Sequence, residues 1–349
     1  GTLRQTRLYK HMGFTPFGPR VGTDEAPYQP MYLDLTAYAG LSNRLHRIQQ
    51  RETPVVNLLP GPVAVSPAVG RAIANPAISH RSARFGAMLS EVKERLLSLA
   101  EAEEVFLMQG SGTLANDAIA AQLVACPGQG LVISNGEFGD RLIDHARRWD
   151  LDPIEYRADW GDSLDVEEIL DLLSANPGIS WVWMVACETS TGVINPWDEL
   201  AVYCRSHDKL FCLDAISAIG ATPLSLKNVH FASGVSGKAI GAFPGIAFVF
   251  YNGPPLSTDN RTPRALDLAM HQRTGGVPFT LSSNLLAALS AALKHTDWTA
   301  RHARIVRASR RLREQLHEHG IAILASGKDA AAAVITIVLP GDIDSVALC

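Results

Sequence analysis

Two residues with complementary chemistry follow apolar segments that are typical of buried strands. Asp214 ends the segment LFCLD, and Lys238 comes three residues after the segment FASGV. A lysine amine can bind an aldehyde cofactor as an imine, and a carboxylate can hold the protonated nitrogen of a pyridine ring. The pair therefore predicts a site for pyridoxal 5'-phosphate (PLP), with Asp214 and Lys238 as its catalytic residues.

Each of these two residues also has an interpretation that needs no cofactor. Asp214 could cap a helix that starts at Ala215, because aspartate is a favoured N-cap residue. A single lysine is most often a solvated surface residue. The small residues at positions 233–237 favour the cofactor, because they leave space around the amine of Lys238. Partial desolvation there would lower the pKa of the amine and make it a better nucleophile.

A glycine-rich turn at residues 110–113 joins a strand pattern to a helix pattern. The backbone N–H groups at such a helix N-terminus, and the two hydroxyls beside them, suit a phosphate group. The same letters match the G-x-G-x-x-A fingerprint of dinucleotide sites, but Asn135 and Gly136 follow the next strand, where such a site needs an acidic residue. A nicotinamide-dependent dehydrogenase is therefore the weaker alternative, and a turn that binds nothing is a third interpretation.

The order of the elements explains how these residues could meet. From about residue 57 onward, short apolar segments alternate with helix patterns, which is typical of an α/β fold with a mostly parallel central sheet. In such sheets the ligand lies outside the carboxyl ends of the strands. Residues able to do chemistry follow five strands, at positions 110–113, 135–138, 188–192, 214 and 238. We therefore expect them to converge on one edge of the sheet.

The composition argues against several other classes of protein. The 349 residues are 47% hydrophobic with a formal net charge of -4, which allows a large core and lacks the basic excess of a nucleic-acid binder. No run of about eighteen apolar residues and no apolar signal region are present, so we expect a cytoplasmic protein without a membrane partner. Five scattered cysteines without a CxxC pair argue against a disulfide framework or a metal site.

Residues from about Pro54 onward resemble the class V, fold type I PLP-dependent aminotransferases, especially the 2-aminoethylphosphonate–pyruvate and serine/alanine–glyoxylate transaminases. The segments that carry the resemblance are, in order, LLPGPVAVSP, SHRSARF, LMQGSGTLANDA, ISNGEFGDRL, ETSTGVINPWDE, CLDAISAIGATP and SGVSGKAIGAFPGIAFV. Their order and spacing together are more specific than any one of them. The resemblance implies a large PLP-binding domain over residues 51–295. It also implies a smaller α/β C-terminal domain that begins at residue 296 and is incomplete at residue 349.

The resemblance implies roles for individual residues. Lys238 forms the imine with the cofactor, Asp214 pairs with the pyridine nitrogen, and Thr189 hydrogen-bonds the ring hydroxyl. The two faces of the ring pack against Ile216 and Phe138. The phosphate is bound by Ser111, Gly112, Thr113 and Ser236, together with Thr274 from a second subunit. The substrate entrance is lined by Gly61, His80 and Arg81.

These roles imply a homodimer whose active sites lie at the subunit interface. The enzyme would move an amino group between a small amino acid or aminophosphonate and a small 2-oxo acid such as pyruvate or glyoxylate. A PLP-dependent lyase, desulfurase or decarboxylase is the alternative, because the cofactor stabilises any carbanion formed beside it. Two departures bear on binding: Gly237 stands where the family often has a polar residue, and the family's arginine for the substrate carboxylate is expected after Cys349.

The first fifty residues have a different composition, rich in arginine, tyrosine, proline and glycine. We expect residues 1–50 to form an N-terminal arm or the tail of a preceding domain. Residues 8–19 and the segment MYLDL resemble the closing strands of a GNAT-type acyltransferase. This resemblance implies that residues 1–45 end such a domain in a fused acyltransferase–aminotransferase.

Overall fold

The computed structural model of the protein describes residues 10, 14–16, 19–22, 27–28, 30–33, 59–254, 256 and 262–340. The chain divides into two compact units, Gly1–Leu58 and Leu59–Cys349. In the first unit, strand β1 (Phe14–Pro16) pairs antiparallel with β4 (Met31–Leu33), and β2 (Val21–Gly22) pairs antiparallel with β3 (Pro27–Tyr28). Most of residues 1–45 lie outside the described residues, so the acyltransferase resemblance stays a prediction.

The second unit is built on a central sheet. Its strands, in chain order, are β5 (Glu104–Gly110), β6 (Gln129–Ser134), β7 (Ile154–Arg157), β8 (Ile179–Val185), β9 (Cys187–Glu188), β10 (Val193–Ile194), β11 (Leu210–Asp214), β12 (Phe231–Val235) and β13 (Gly245–Tyr251). Within the described residues the main sheet has seven strands in the order β5-β13-β12-β11-β8-β6-β7, and β9 pairs with β10 beside it. Strand β13 is antiparallel to both of its neighbours, and the other pairs are parallel. The predicted mostly parallel α/β sheet is therefore confirmed.

Helices flank this sheet on both faces. They are α1 (Pro67–Ile73), α2 (Ala83–Ala100), α3 (Gly112–Leu123), α4 (Glu137–Arg148), α5 (Val166–Ala175), α6 (Trp197–Ser206), α7 (Leu268–Arg273), α8 (Ser283–Lys294) and α9 (Trp298–Glu318). Six of them begin at a serine or aspartate whose side chain accepts a hydrogen bond from the first turn, which is why they start where they do. These caps are Ser66, Ser82, Asp165, Asp267, Ser282 and Asp297.

Strand β8 shows how the sheet is buried on both faces. Trp181 and Trp183 point to the face covered by α3 and α4, and Val182 and Met184 point to the face covered by α2, α6 and α8. Because successive side chains of a strand alternate between faces, a strand between two helical layers is apolar throughout. The unbroken apolar segments of the sequence follow from this position.

The carboxyl ends of five strands meet at one edge of the sheet. Strands β6, β8, β11 and β12 run in one direction, and β5 runs with them because both β5 and β12 are antiparallel to β13. Helices α3 and α4 begin at this edge, directly after β5 and β6. The expected convergence of the strand ends is therefore present.

Residues 319–340 are held against α9 by one arginine. The Arg313 guanidinium donates to the backbone oxygens of Ala325, Ala331 and Val334 at 2.8, 2.9 and 3.2 Å. The segment AAAVITIVLP, expected to be a strand, contributes an isolated bridge between Ile337 and Ile323. A separate C-terminal domain from residue 296 stays a prediction. Among the described residues, no helix is both long enough and apolar enough to cross a bilayer.

Candidate active site

A cavity of about 260 Å³ opens at the edge where the strand ends meet. It is lined by the segments that follow β5, β6, β8, β11 and β12, and by residues 61 and 62. The side chains and glycines most relevant to chemistry are Gly61, Ser111, Gly112, Thr113, Asn116, Phe138, Arg141, His145, Asp214, Ile216 and Lys238. One cavity thus receives residues from distant parts of the sequence.

Asp214 places a carboxylate at the base of this cavity. It is buried at the end of β11, where Oδ1 accepts a hydrogen bond from the Ile216 N–H at 2.9 Å and Oδ2 accepts one from Asn116 Nδ2 at 2.8 Å. Burial raises the pKa of Asp214, and these two hydrogen bonds partly oppose that rise. A cation bound directly beside Asp214 would stabilise its charged form further.

Lys238 places an amine in the same cavity. It lies half buried in the loop between β12 and β13, and burial lowers its pKa while the negative charge of Asp214 partly opposes the change. Gly61 lies directly against it, since a Cβ at position 61 would be 2.5 Å from Lys238 Cδ and 2.9 Å from Nζ. A lowered pKa increases the fraction of neutral amine, which is the nucleophilic form.

The N-terminus of α3 faces the cavity without a cap of its own. Ser111 is the N-cap residue, but its side chain forms no capping hydrogen bond within the described residues. Ser111, Gly112 and Thr113 line the cavity, and a Cβ at Gly112 would lie 2.6 Å from Ile216 Cδ1. Free N–H groups and the helix dipole stabilise an anion at such a position by about 0.3–1 kcal/mol.

The N-terminus of α4 is capped by a different part of the chain. The buried carboxylate of Glu188 accepts hydrogen bonds at Oε2 from the N–H groups of Phe138 and Gly139, each at 3.0 Å. Ser190 Oγ accepts from the Glu137 N–H at 3.1 Å and donates to Glu188 Oε1 at 2.5 Å. These contacts fix the first turn of α4, and with it the ring of Phe138 at the cavity wall.

Comparison with known proteins identifies the chain. The class-V aminotransferase family matches residues 68–255. A 2-aminoethylphosphonate–pyruvate transaminase of Syntrophobacter fumaroxidans is 31% identical over 260 residues, which are 70% of this chain and 69% of that protein. This chain belongs to the class-V aminotransferases. The enzyme of the same name from Pseudomonas fluorescens is 30% identical over 274 residues, covering 74% of each protein.

Solved structures of aminotransferases share the fold. An alanine–glyoxylate aminotransferase from Nostoc sp. superposes with a TM-score of 0.77 at 25% identity, over 85% of this chain and 84% of that one. A subgroup IV aspartate aminotransferase from Thermus thermophilus gives a TM-score of 0.73 at 25% identity, over 82% and 83% of the two chains. The protein is accordingly a PLP-dependent aminotransferase with the fold type I architecture that its sequence predicts.

The residues around the cavity suit PLP, as this class-V aminotransferase requires. The amine of Lys238 matches the cofactor aldehyde, and the uncapped N-terminus of α3 matches the phosphate. The buried carboxylate of Asp214 matches a protonated ring nitrogen, because a cation beside it would offset the cost of its burial. Phe138 and Ile216 add apolar surface for a flat ring. Each part of the cofactor thus finds a group of complementary chemistry.

Three predicted residues, Thr189, Ser236 and Thr274, do not line the cavity, and Thr274 is exposed. Thr189 is buried beside Glu188. Ser236, expected near the phosphate, instead donates to the Phe243 oxygen at 2.7 Å and accepts from the Ile246 N–H at 3.2 Å. Thr274 donates to the Met270 oxygen at 2.9 Å, at the end of α7. The hydroxyls of Ser236 and Thr274 are therefore used by the local backbone, and the predicted role of Thr274 concerns a second subunit.

Of the residues predicted at the substrate entrance, Gly61 lines the cavity and the other two do not. Arg81 is exposed, and the His80 ring lies edge-on to Phe85 with 6.5 Å between the ring centres. Both residues precede α2, whose N-cap is Ser82. Their predicted contact with substrate stays a prediction.

The departure at Gly237 has a steric explanation. A Cβ at this position would lie 2.8 Å from Pro244 Cγ and 2.9 Å from Pro244 Cα. The loop that carries Lys238 therefore folds back so closely on Pro244 that a side chain at position 237 has no space.

The weaker alternative of a dinucleotide site conflicts with the contacts of Asn135. Its buried amide donates to the Asp162 oxygen at 3.0 Å and to Asn195 Oδ1 at 2.9 Å. The position where a dinucleotide site needs a carboxylate for ribose thus holds an amide that links neighbouring loops.

The sequence interpretation missed four residues of the site, namely Asn116, Arg141, His145 and Glu188. Asn116 had a usable signal, since it is a polar residue among the buried apolar residues of α3. Arg141 and His145 follow Phe138 at spacings of three and seven, so they share its face of α4. Glu188 was noted only as part of a strand end, because its partners lie fifty residues earlier in the chain.

Proposed function

We propose that this enzyme transfers an amino group between a small amino acid or aminophosphonate and a small 2-oxo acid such as pyruvate or glyoxylate. The relatives at about 30% identity are transaminases of 2-aminoethylphosphonate and pyruvate, and a solved structure with the same fold acts on alanine and glyoxylate. The cavity of about 260 Å³ is lined by groups that suit the cofactor. The observation that carries the proposal is the pair of Asp214 and Lys238 on one cavity.

The proposed roles follow the chemistry of each group. Lys238 binds the cofactor aldehyde, and Asp214 pairs with the ring nitrogen. Phe138 and Ile216 pack against the ring. The first turn of α3 binds the phosphate through Ser111, Gly112 and Thr113. Support comes from the lining of the cavity and from the burial of Asp214, which raises its pKa.

When bound, PLP acts as an electron sink for the bond that breaks at the substrate Cα. Lys238 Nζ accepts the proton that leaves this Cα, and its lowered pKa increases the fraction of neutral amine available for that step. Asp214 keeps a fixed orientation, because Asn116 Nδ2 and the Ile216 N–H each bind one of its oxygens. Phe138 and Ile216 limit the access of water to the reacting atoms.

We also propose a homodimer in which Thr274 of each subunit reaches the phosphate site of the other, with Gly61, His80 and Arg81 at the substrate entrance. Thr274, His80 and Arg81 do not line the cavity of the single chain, which is compatible with contacts made across an interface. Light scattering measures whether the protein is a dimer. The cofactor-binding assay with Thr274→Ala tests whether Thr274 contributes to the phosphate site. The domain limits at residues 50 and 295 and the cytoplasmic location stay predictions.

An absorption spectrum tests the cofactor-binding part of the proposal. We expect a visible band after reconstitution with PLP, abolished by borohydride and absent from Lys238→Ala. A protein that stays colourless with PLP would overturn it.

Incubation with single amino donors tests the reaction type. A transaminase accumulates aminated cofactor and releases one 2-oxo acid, and pyruvate or glyoxylate then restores the visible band. Release of sulfide, carbon dioxide or ammonia without this reversal would instead identify a desulfurase, decarboxylase or lyase. Alanine, serine and 2-aminoethylphosphonate are the donors to compare.

A further inference from the structure

A histidine and an aspartate form a pair next to the base of the cavity. His145 Nδ1 lies 2.7 Å from Asp117 Oδ1, and the pair bridges α4 and α3. His145 is 9% exposed and lines the same cavity as Asp214. None of the proposed roles above uses either residue. Burying an imidazole costs free energy unless its polar atoms are hydrogen-bonded, as Nδ1 is here to Asp117.

The geometry fixes which imidazole nitrogen faces the cavity. An ionised carboxylate only accepts hydrogen bonds, so Nδ1 of His145 must donate to Asp117. Nε2 is then the nitrogen left for the cavity side, and protonation there turns the ring into a cation paired with Asp117. The ring also lies against Trp183, with 6.3 Å between the ring centres, which restricts its rotation.

Helix α3 holds Asp214 through two consecutive residues. Asn116 binds Asp214 Oδ2 directly, and Asp117 binds the imidazole of His145, which lines the same cavity as Asp214. Burial raises the pKa of Asp214 and the hydrogen bonds from Asn116 and Ile216 lower it; the charge of Glu188 raises it and that of His145 lowers it. Other charged or titratable groups near His145 are Arg141, Asp144 and Arg148 on its own helix, and Lys238 and Cys187 on the cavity wall.

We propose that Asp117 and His145 are positioning residues that keep Asp214 anionic beneath the cofactor ring, and so keep the ring nitrogen protonated. The proposal rests on the proposed pairing of Asp214 with that nitrogen. Neither residue transfers a proton in the reaction. Asp117 holds the imidazole in place, and the imidazolium supplies positive charge close to a carboxylate that the fold has removed from water.

The test measures the ring nitrogen itself in the holoenzyme. PLP labelled with ¹⁵N at the ring nitrogen reports protonation through its NMR chemical shift, in the wild type and in His145→Gln and Asp117→Asn. We expect the pH midpoint of ring protonation to fall by about one unit in both variants, because each substitution weakens the positive charge that favours the anionic form of Asp214. The dissociation constant of PLP should rise about tenfold.

Asp144→Asn is the matched control. Asp144 adjoins His145 on α4, and its side chain is exposed and bound to Arg148 at 2.6 Å. The substitution removes the same charge as Asp117→Asn from the outer side of the helix, so the ring-nitrogen midpoint should move by less than about 0.2 units because exposed charges are screened.

Three results separate the interpretations. An unchanged ring-nitrogen midpoint in Asp117→Asn, with PLP bound at full stoichiometry, would overturn the proposal. The same shift in Asp144→Asn would also overturn it, because the effect would then be one of net charge. If His145→Gln does not fold, the nearly isosteric Asp117→Asn decides the question. Failure of the wild type to bind PLP would instead refute the proposed function, so the two failures are distinct.

Discussion

Replacing Glu188 with alanine should destabilise the enzyme far more than a single carboxylate usually does. Glu188 is fully buried, and its loss leaves the N–H groups of Phe138, Gly139 and Ser190 without their acceptor. Each orphaned donor costs about 1 kcal/mol or more, and the lost negative charge at the start of α4 costs about 0.5 kcal/mol. We expect the free energy of unfolding to fall by about 3–5 kcal/mol.

The assay is urea-induced unfolding of the cofactor-free protein, followed by circular dichroism. Phe138 is held by the same cap, so PLP should also bind at least tenfold more weakly to Glu188→Ala when measured by absorbance. Glu188→Gln should fall between the wild type and Glu188→Ala, with a loss of about 1–2 kcal/mol. Its amide oxygen can still accept from Phe138 and Gly139, whereas its NH₂ group opposes the N–H of Ser190.

Glu137→Ala is the control, because Glu137 is also acidic and also lies in the first turn of α4. Its carboxylate is exposed and bound to Arg141 at 2.9 Å, so its removal should cost no more than about 0.5 kcal/mol. If Glu188→Ala costs less than about 1 kcal/mol, or no more than Glu137→Ala, the cap does not hold α4 and the reasoning is wrong.

Three further substitutions test the site, and a fourth, Gly86→Ala, is a comparison outside it. Gly112→Ala places a Cβ 2.6 Å from Ile216 Cδ1 and should weaken PLP binding at least tenfold in a titration. In Gly86→Ala, in α2, the new Cβ meets nothing within 4 Å. This substitution should therefore stabilise the protein by about 0.5–1 kcal/mol. The pKa of Asp214 is raised from 3.8 by burial, so the folded chain binds more protons than the unfolded chain above that pH and stability falls as pH rises through the raised pKa. Asp214→Asn should therefore raise the melting temperature of the cofactor-free protein at pH 7.5 while abolishing transamination; a lower melting temperature would contradict this. The pKa of Lys238 is lowered from 10.5 by burial, so the folded chain binds fewer protons between the two pKa values, and cofactor-free stability should rise with pH in that window. Lys238→Met should remove this rise, and an unchanged slope in pH-dependent melting would count against the assignment.

The sequence predicted the helices best where their start signals are local. A helix was expected from about Ser282 and another from about Trp298, and the structure begins them at Ser283 and Trp298, after the caps Ser282 and Asp297. Helix α4 was expected from Asp140 but begins at Glu137, because its cap is Glu188, about fifty residues later. A residue brought in by the fold cannot be recognised from the turn that it caps.

The same distinction applies to the site. Asp214, Lys238 and the turn at residues 110–113 follow strands directly, so the position of the strands was enough to bring them together. Asn116 and the pair of Asp117 and His145 needed the packing of α3 against α4, which the sequence does not encode in any short segment. The expected strand at residues 331–340 forms one bridge, since among the described residues few backbone groups are placed to pair with it.

The two helix N-termini at the cavity differ in a way that affects the stability and turnover of the protein in the cell. Helix α4 is capped by the protein's own carboxylate, whereas the first turn of α3 is left for an outside anion. A ligand that binds only the folded chain stabilises it by RT ln(1 + [L]/Kd), which is about 2.7 kcal/mol at a hundredfold excess over Kd. Chains that lack the cofactor should open more often and be degraded sooner by proteases. The abundance of this aminotransferase should therefore follow the supply of vitamin B6.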